Sequence, residues 1–417
     1  MRLCTVAHLL LCMLPLHAVA VAQAPSAGAR YSFTFVDGGD GATTKVNATT
    51  MFSEELGYGY EPWESNHSCA RCDTRPSFFS VKVPEGNYRV HVVLGASSRP
   101  TLTTLKSESG RLMLERIRVK AGEEAERTFT VNVRTPQLPK LPLNATGREE
   151  VSLDRFDDSN ARDWDRKLTI EVVGENSGLK RMDITPITYV PTIFLAGDST
   201  VTDRNGGKDV SWGQLLPRFL TSDVVVANHA QSGETLKSFS SSLRLDKILS
   251  QMKAGDYLFL QFGHNDSKSD WPQTYAEAET TYKAWLKTYI AETRRRGATP
   301  VLVTSMDRAD HLTGAPMHGL GLYPQAVREV AAEEHVPLID LNTMSDILYV
   351  AAGADAPRLL EDGTHSTAYG GYEFAQCVVE SIVESHMDLT RFVSPDFARF
   401  DPKRPDSLRD LDLDTIF

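Results

Sequence analysis

Residues 194–200 read FLAGDST, an apolar run that passes without a break into Gly-Asp-Ser. A continuous apolar run of this kind is typical of a strand buried on both faces of a parallel sheet. A serine directly after such a strand lies at the carboxyl edge of the sheet, where open α/β sheets bind their ligands. The stretch therefore predicts an α/β fold with Ser199 facing a crevice, although Asp-Ser in this place is by itself more often a turn or a helix cap.

Four more apolar runs follow the first one toward the carboxyl terminus, and helical patterns lie between them. The five predicted strands are 193–196, 224–227, 257–262, 301–304 and 336–339. The clearest predicted helices are 274–296, which has one apolar face and ends at Gly297, and 369–385. Alternating strands and helices predict a parallel sheet with right-handed crossovers and a ligand crevice at the carboxyl ends of its strands.

The chain before residue 190 has a different pattern, with short β-branched and aromatic runs separated by turn residues. Predicted strands are 31–36, 78–83, 88–94, 112–119, 127–133 and 167–173. Pro84-Glu85-Gly86-Asn87 predicts a hairpin turn between two of them. Strands at this spacing predict an antiparallel β-sandwich, in which residues 136–160 form a long surface loop.

The first residues have the features of a secretory signal peptide: one Arg, an apolar run, and small residues around Ala20 and Ala24. Cys12 lies inside the apolar run after Leu11, which argues against a lipoprotein site. The predicted organisation is a signal peptide over 1–24, a β-sandwich over 25–189, an α/β domain over 190–390 and a surface extension over 391–417. We therefore expect a secreted or periplasmic protein, and no later apolar run is long enough to span a membrane.

Composition excludes several classes of protein. The 417 residues are 41% hydrophobic and 24% charged, which is typical of a globular chain. The 44 Lys and Arg against 55 Asp and Glu give a net charge of -11, which disfavours nucleic acid as a partner. We expect a monomer that needs no cofactor.

Cysteine and histidine spacing gives little support to a metal site. Removal of the signal peptide leaves Cys69, Cys72 and Cys377. The Cys69–Cys72 spacing suits a redox or half-zinc site, but without a second pair a local disulfide or two unpaired thiols are the simpler readings. His311 and His318 share a loop with no carboxylate at ligand spacing, so we expect no metal.

Three more polar segments come near predicted strand ends or before the last predicted helix. NHAQSGET at 228–235 contains Gly233, and QFGHND at 261–266 contains Asn265; a backbone N–H and a side-chain amide there suit an oxyanion. EDGTHS at 361–366 places Asp362 three residues before His365, so the carboxylate can orient the imidazole. The first two segments alone are most simply a turn or polar loop, and for the third a solvated loop is as good an interpretation as a functional pair. The coincidence of all three with Ser199 at one sheet edge is much rarer.

These segments, in this order, resemble the four blocks of the SGNH (GDSL-like) hydrolase superfamily. GDSTVTD at 197–203, SWGQLLPRF at 211–219, NHAQSG, FGHND and EDGTHSTAYGG at 361–371 resemble the rhamnogalacturonan acetylesterases. The β-rich region, with VPEGNYRVHVVLG at 83–95, resembles the galactose-binding-like sandwich that many bacterial members carry.

The resemblance implies a role for each matching residue. Ser199 would be the nucleophile, His365 the general base and then acid, and Asp362 the residue that orients the imidazole. The oxyanion hole would consist of the N–H groups of Ser199 and Gly233 and the side chain of Asn265. Glu234-Thr235 stand where other members have Arg-Ser, and because they are expected to border the pocket they leave the exact sugar open.

The leading hypothesis is a secreted carbohydrate esterase that removes acetyl groups from the rhamnogalacturonan of pectin. Lys237 and Lys268 are candidates to meet the carboxylates of such a polymer. The alternatives are an esterase of acetylated xylan, another glycan or a lipid, and a non-catalytic glycan-binding protein. For the last, Tyr58, Tyr60 and Trp63 could stack on sugars, although core or turn packing is the simpler reading.

Overall fold

The computed structural model describes residues 29–36, 43–61, 78–140, 147–154, 160–174, 176–204, 209–411 and 413. The predicted signal peptide, Trp63, Cys69 and Cys72 lie outside these residues. Cys377 is buried and is not part of a disulfide.

The amino-terminal part forms two five-stranded sheets. Its strands are β1 (Tyr31–Thr34), β2 (Thr44–Lys45), β3 (Tyr58–Glu61), β4 (Phe78–Lys82), β5 (Gly86–Leu94), β6 (Thr101–Ser107), β7 (Arg111–Val119), β8 (Ala125–Val133), β9 (Lys167–Val173) and β10 (Leu179–Ile187), with the short helix α1 (Asn160–Asp163) before β9. One sheet has the order β2-β1-β10-β5-β8 and the other β3-β4-β9-β6-β7. Neighbouring strands are antiparallel except β1 and β2.

A shared apolar core joins the two sheets. Along β5, Tyr88, Val90 and Val92 alternate with more exposed residues, as expected of a strand with one face on a core. Tyr58 and Tyr60 pack against this core, with Tyr60 in edge contact with Phe79. The packing interpretation of these two tyrosines is therefore confirmed.

The predicted turn at Pro84–Asn87 does not form a hairpin. It lies between β4 and β5, which belong to different sheets, so it carries the chain across the sandwich. Turn residues determine that the chain reverses, but the side chains of the flanking strands determine whether those strands pair or pack face to face. Strands β2, β3, β6 and β10 were not predicted. The first two have only two and four residues, and the many polar residues of β6 and β10 obscure the alternating pattern.

The carboxyl-terminal part is a three-layer α/β structure, which confirms the predicted fold class. Strands β11 (Thr192–Gly197), β12 (Val225–Asn228), β13 (Tyr257–Gln261), β14 (Thr299–Val303) and β15 (Leu338–Ile339) form a parallel sheet in the order β12-β11-β13-β14-β15. The helices are α2 (Trp212–Leu215), α3 (Leu236–Ser241), α4 (Arg244–Gln251), α5 (Lys283–Arg295), α6 (Tyr323–Glu334), α7 (Leu341–Ala352), α8 (Ala368–Glu384) and α9 (Leu408–Leu411).

Separate apolar clusters cover the two faces of the parallel sheet. Helices α2, α7 and α8 pack in one cluster, and α3 to α6 pack in the other. The predicted helix 274–296 is shorter than expected, because a wider helical turn at Ala278–Tyr282 precedes α5. In the described residues, we find no helix of the length and apolar character that a bilayer crossing needs.

The carboxyl-terminal extension is anchored in the α/β core. Phe392, Phe400 and Leu413 are buried in the same cluster as α8, and Val393 forms an isolated β-bridge with Leu220. The extension therefore contributes buried surface, which its Asp- and Pro-rich composition does not indicate.

A buried charge network joins the amino-terminal sheets to the α/β structure. Arg111, at the start of β7, donates through Nε to Asp203 at 2.5 Å and through Nη2 to Asp163 at 3.1 Å. Asn228, at the end of β12, donates to the other oxygen of Asp203 at 2.8 Å. All three charged side chains are at most 5% exposed. The guanidinium thus connects one part of the molecule to the loop that follows Ser199.

Candidate active site

Ser199 lies in the turn that follows β11, and the neighbouring Asp198 determines the shape of that turn. Oδ1 of the fully buried Asp198 accepts hydrogen bonds from the backbone N and Oγ1 of Thr200, at 3.0 and 2.8 Å. Nδ1 of His264 lies 3.5 Å from Oδ2. Burial raises the pKa of Asp198, but His264 and the Thr200 hydrogen bonds outweigh it and leave the pKa below its usual value. The carboxylate therefore remains charged and fixes Ser199 at the carboxyl edge of the sheet.

Ser199, His365 and Asp362 form a continuous chain of hydrogen bonds. Nε2 of His365 lies 2.8 Å from Oγ of Ser199, and Nδ1 lies 2.8 Å from Oδ2 of Asp362. Oδ1 of Asp362 accepts from the backbone N of Thr364 and of His365, at 3.0 and 2.9 Å. Burial raises the pKa of Asp362, but the hydrogen bonds from His365, the charge of His365 and the hydrogen bond from Thr364 together outweigh this effect, so the net shift is downward. One carboxylate thus folds the loop and orients the imidazole.

Gly363 allows this loop to approach the chain that follows β14. Its φ is +82°, and a Cβ at this position would lie 2.6 Å from the carbonyl oxygen of Ala309. The backbone N of Ala309 donates to the Gly363 carbonyl at 3.1 Å. A glycine is needed here for both reasons, because other residues rarely adopt this φ and would collide with Ala309.

The segment that contains Gly233 is held against the Ser199 turn. The backbone N of Gln231 donates to Gly197 at 3.1 Å, and Oγ1 of Thr202 donates to Ala230 at 2.9 Å. Gly233 has a φ of +78°, and no atom lies within 4 Å of the place where its Cβ would stand. A ligand can therefore approach this backbone closely.

The Asn265 amide has a fixed orientation. Its Nδ2 donates to the Glu234 carbonyl at 3.1 Å, and its Oδ1 accepts from Nζ of Lys268 at 2.8 Å. The adjacent Asp266 accepts from the backbone N of Leu236 and Gly263, and burial raises its pKa to about 7. Since an amide nitrogen carries two hydrogens, the second N–H of Asn265 remains for a ligand.

The structure thus brings all five predicted site residues to the carboxyl edge of the sheet. Their roles as nucleophile, base, orienting residue and oxyanion donors remain predictions. Of the two lysines predicted to meet substrate, Lys268 contacts Asn265, whereas Lys237 donates to the Tyr275 carbonyl.

The side chains of Glu234 and Thr235 contact the start of α3 and Arg244. The Glu234 carboxylate accepts from Ser238 and lies 3.9 Å from Nε of Arg244. Burial raises the pKa of Glu234, although Ser238 and Arg244 oppose this shift. Thr235 is buried and caps α3. The Glu234 carbonyl accepts from Asn265, so this segment contacts a predicted site residue.

Sequence reasoning missed the residues that follow β14. Arg308 donates to Oγ1 of Thr364, beside the Asp362–His365 pair, and to the His264 carbonyl at 3.4 Å. The available signal was that the segment follows a strand of the same parallel sheet. The segment carries no motif that the sequence analysis recognised, so that position was overlooked.

Asp307, His318 and Asp346 form a group that could hold a cation. One ligand atom from each lies within 4.8 Å of the others. Among the described residues His311, which the sequence analysis considered together with His318, does not join this group. Burial raises the pKa of Asp346 to about 6, and the neighbouring Asp307 adds to the rise.

The sequence model of the GDSL-like Lipase/Acylhydrolase family matches residues 195–371. The chain is 37% identical over 209 residues to a protein of Bacillus subtilis strain 168 named probable rhamnogalacturonan acetylesterase YesY, covering 48% of this chain and 96% of YesY. It is 36% identical over 216 residues to rhamnogalacturonan acetylesterase RhgT of the same organism, covering 47% of this chain and 91% of RhgT.

A third relative extends into the amino-terminal sheets. The chain is 26% identical over 377 residues to the uncharacterized esterase YxiM of Bacillus subtilis strain 168, covering 84% of this chain and 90% of YxiM. A match of this length must include part of the region before β11.

Proposed function

This chain belongs to the GDSL-like lipase/acylhydrolase family and is a carboxylic-ester hydrolase, and we propose that it removes acetyl groups from rhamnogalacturonan in the plant cell wall. The similarity to YesY and RhgT supports a carbohydrate acetylesterase. We further propose that the enzyme is secreted or periplasmic. Sequencing the amino terminus of the exported protein would test this, because cleavage of the signal peptide removes the first residues.

The hydrogen-bonded chain from Ser199 through His365 to Asp362 is the observation that carries the proposal. In the first step Oγ of Ser199 attacks the acetyl carbonyl carbon while Nε2 of His365 takes the hydroxyl proton. Asp362 accepts the hydrogen bond from Nδ1 and stabilises the imidazolium that forms. His365 then gives the proton to the leaving sugar oxygen, which leaves an acetyl group on Ser199.

The negative charge that develops on the carbonyl oxygen needs hydrogen-bond donors. We assign this role to the backbone N–H groups of Ser199 and Gly233 and to the free N–H of Asn265. In the second step His365 takes a proton from water as the water oxygen attacks the acetyl carbonyl carbon. The bond between that carbon and Oγ of Ser199 then breaks, His365 returns the proton to Oγ, and acetate leaves. Each step uses only the side chains and backbone groups already described.

The proposal predicts that Ser199→Ala abolishes acetate release. The measurement is acetate released from acetylated rhamnogalacturonan, acetylated homogalacturonan, acetylated xylan and 4-nitrophenyl acetate. Ser250→Ala is a matched control, because it removes a hydroxyl on α4 that donates only to the Lys247 carbonyl.

The outcomes separate the substrate from the chemistry. Release from rhamnogalacturonan that disappears in Ser199→Ala supports both. Hydrolysis of xylan or the aryl ester alone would overturn the pectin assignment, and release by Ser199→Ala would overturn the assigned nucleophile. A protein that releases no acetate from any of the four substrates would contradict the proposed activity.

A further inference from the structure

Two cations lie beside the candidate catalytic residues without an acidic partner. Lys268 donates to Asn265, and Arg308 donates to Thr364. In the part of the chain that the structure describes, no carboxylate lies within 4.0 Å of either cation. By contrast, Lys283, away from the site, pairs with both Glu279 and Glu329.

The two cations are close enough to repel each other. Burial lowers the pKa of Lys268, the charge of Arg308 lowers it further, and the charge of Asp198 opposes both effects. Both side chains contact the same turn, Lys268 at Asn265 and Arg308 at the His264 carbonyl. The charge of the buried Asp198 offsets this repulsion only in part, because the net shift of the Lys268 pKa is still downward. In a chain with a net charge of -11, two neighbouring cations without a direct carboxylate partner among the described residues indicate an anionic ligand.

An exposed aromatic ring extends this positive patch. The side chain of Trp271 is 46% exposed, and Nζ of Lys268 lies 4.1 Å from the centre of its ring. An exposed indole next to a charged group offers a flat apolar surface to a ring that carries a charge of opposite sign. A sugar ring that bears a carboxylate has both features.

We propose that Lys268, Arg308 and Trp271 form a subsite that binds a uronic acid unit of the substrate next to the acetyl group under attack. The Arg308 guanidinium and the Lys268 ammonium meet the carboxylate, and Trp271 packs against the sugar ring. This inference rests on the proposed function and deepens it, because it names the residues that select an acidic polysaccharide over neutral xylan.

A purely positioning role for the same residues makes a different prediction. If Arg308 only holds Thr364, and Lys268 only holds Asn265, their replacement slows hydrolysis of every ester by the same factor. The test therefore needs a readout that does not depend on turnover of a polysaccharide. Inhibition of aryl ester hydrolysis by a deacetylated oligosaccharide provides one.

The experiment measures the inhibition constant of a deacetylated rhamnogalacturonan oligosaccharide against 4-nitrophenyl acetate hydrolysis. The same oligosaccharide with methyl-esterified carboxylates is measured beside it. For the unmodified protein we expect esterification to weaken inhibition by about tenfold, as for loss of a charge-assisted hydrogen bond. In Arg308→Gln the two oligosaccharides should inhibit almost equally, and Arg308→Lys should restore part of the preference.

Lys287→Gln is the matched control, since it removes one positive charge on α5 that pairs with Glu333 away from the site. It should keep the full preference for the free acid. Equal inhibition of the unmodified protein by both oligosaccharides, or an unchanged preference in Arg308→Gln, would overturn the subsite. Failure to release acetate from rhamnogalacturonan is a separate result, which overturns the proposed substrate even where the acid preference is present.

Discussion

The side-chain amide of Asn265 is held in one orientation by its neighbours. Its oxygen and one of its two N–H groups are occupied by Lys268 and the Glu234 carbonyl, so rotation of the amide would break both hydrogen bonds. An amide fixed before substrate arrives stabilises developing charge without reorganising, which is how oxyanion donors are effective.

We therefore expect Asn265→Ala to lower kcat by roughly 10²–10³ while KM changes much less. The reason is that the donor acts on the charge of the transition state and not on the neutral ester. Steady-state kinetics with 4-nitrophenyl acetate measure both constants, and circular dichroism checks the fold. A rise in KM with unchanged kcat would show that Asn265 binds the ground state instead.

At the residue scale, the sequence predicted the site residues that stand in recognisable motifs. It missed Arg308, which stands in none. Ser199 and Asn265 could be found because a buried apolar run ends just before each of them. Arg308 also follows a strand end, but the contacts that place it beside the site are with Thr364 and His264, which are far away in the sequence.

At the scale of elements, the loop before α8 is shaped by its contact with the chain after β14. Gly363 separates Asp362 from His365, and its carbonyl is bonded to Ala309. Because the two segments meet at the backbone, the position of the imidazole depends on how closely they approach. A displacement of about 1 Å at a reacting group can cost about 100-fold in rate.

Gly363→Ala should therefore lower kcat by at least tenfold, in addition to reducing stability. The added Cβ would lie 2.6 Å from the Ala309 oxygen, and the φ of +82° is itself unfavourable. Gly255→Ala is the matched control, because that residue has a φ of +88° and nothing within 4 Å of the added Cβ. Equal kcat in the two variants would show that the contact with Ala309 does not position His365.

At the scale of the whole molecule, the buried pair of Arg111 and Asp203 makes the β-sheets part of the structure that supports the active site. Asp203 lies four residues after Ser199 and also accepts from Asn228 at the end of β12. Burial raises the pKa of Asp203, and Arg111 opposes this rise. The two parts therefore share an interface that neither could leave without exposing or isolating a buried charge.

Arg111→Met should reduce the free energy of unfolding by about 3–5 kcal/mol, because Asp163 and Asp203 lose their common partner in the interior. The folded-state pKa of Asp203 would rise further above the unfolded value, so the loss should grow as pH increases from 5 to 8. Urea unfolding at the two pH values measures this. A second variant, Arg111→Met with Asp203→Asn, should regain part of the lost stability and should lose most of the pH dependence, because the titrating carboxyl group is gone. A loss of stability in Arg111→Met that is the same at both pH values would contradict the explanation.

The two-part organisation and the parallel sheet could be predicted because hydrophobic periodicity changes near residue 190. The interface could not, since Arg111 and Asp203 are 92 residues apart and the motif that contains Asp203 does not indicate its partner. The pairing of strands in the sandwich was also out of reach, as the wrong hairpin at Pro84–Asn87 shows.

The sequence separation within the candidate triad has a consequence for refolding. Asp362 and His365 are three residues apart, whereas His365 and Ser199 are 166 residues apart. A chain in which only the loop before α8 has formed already has the Asp–His pair but no nucleophile beside it. During refolding, esterase activity should therefore return with the latest structural phase, and its time course would report completion of the central sheet more directly than the recovery of helical signal.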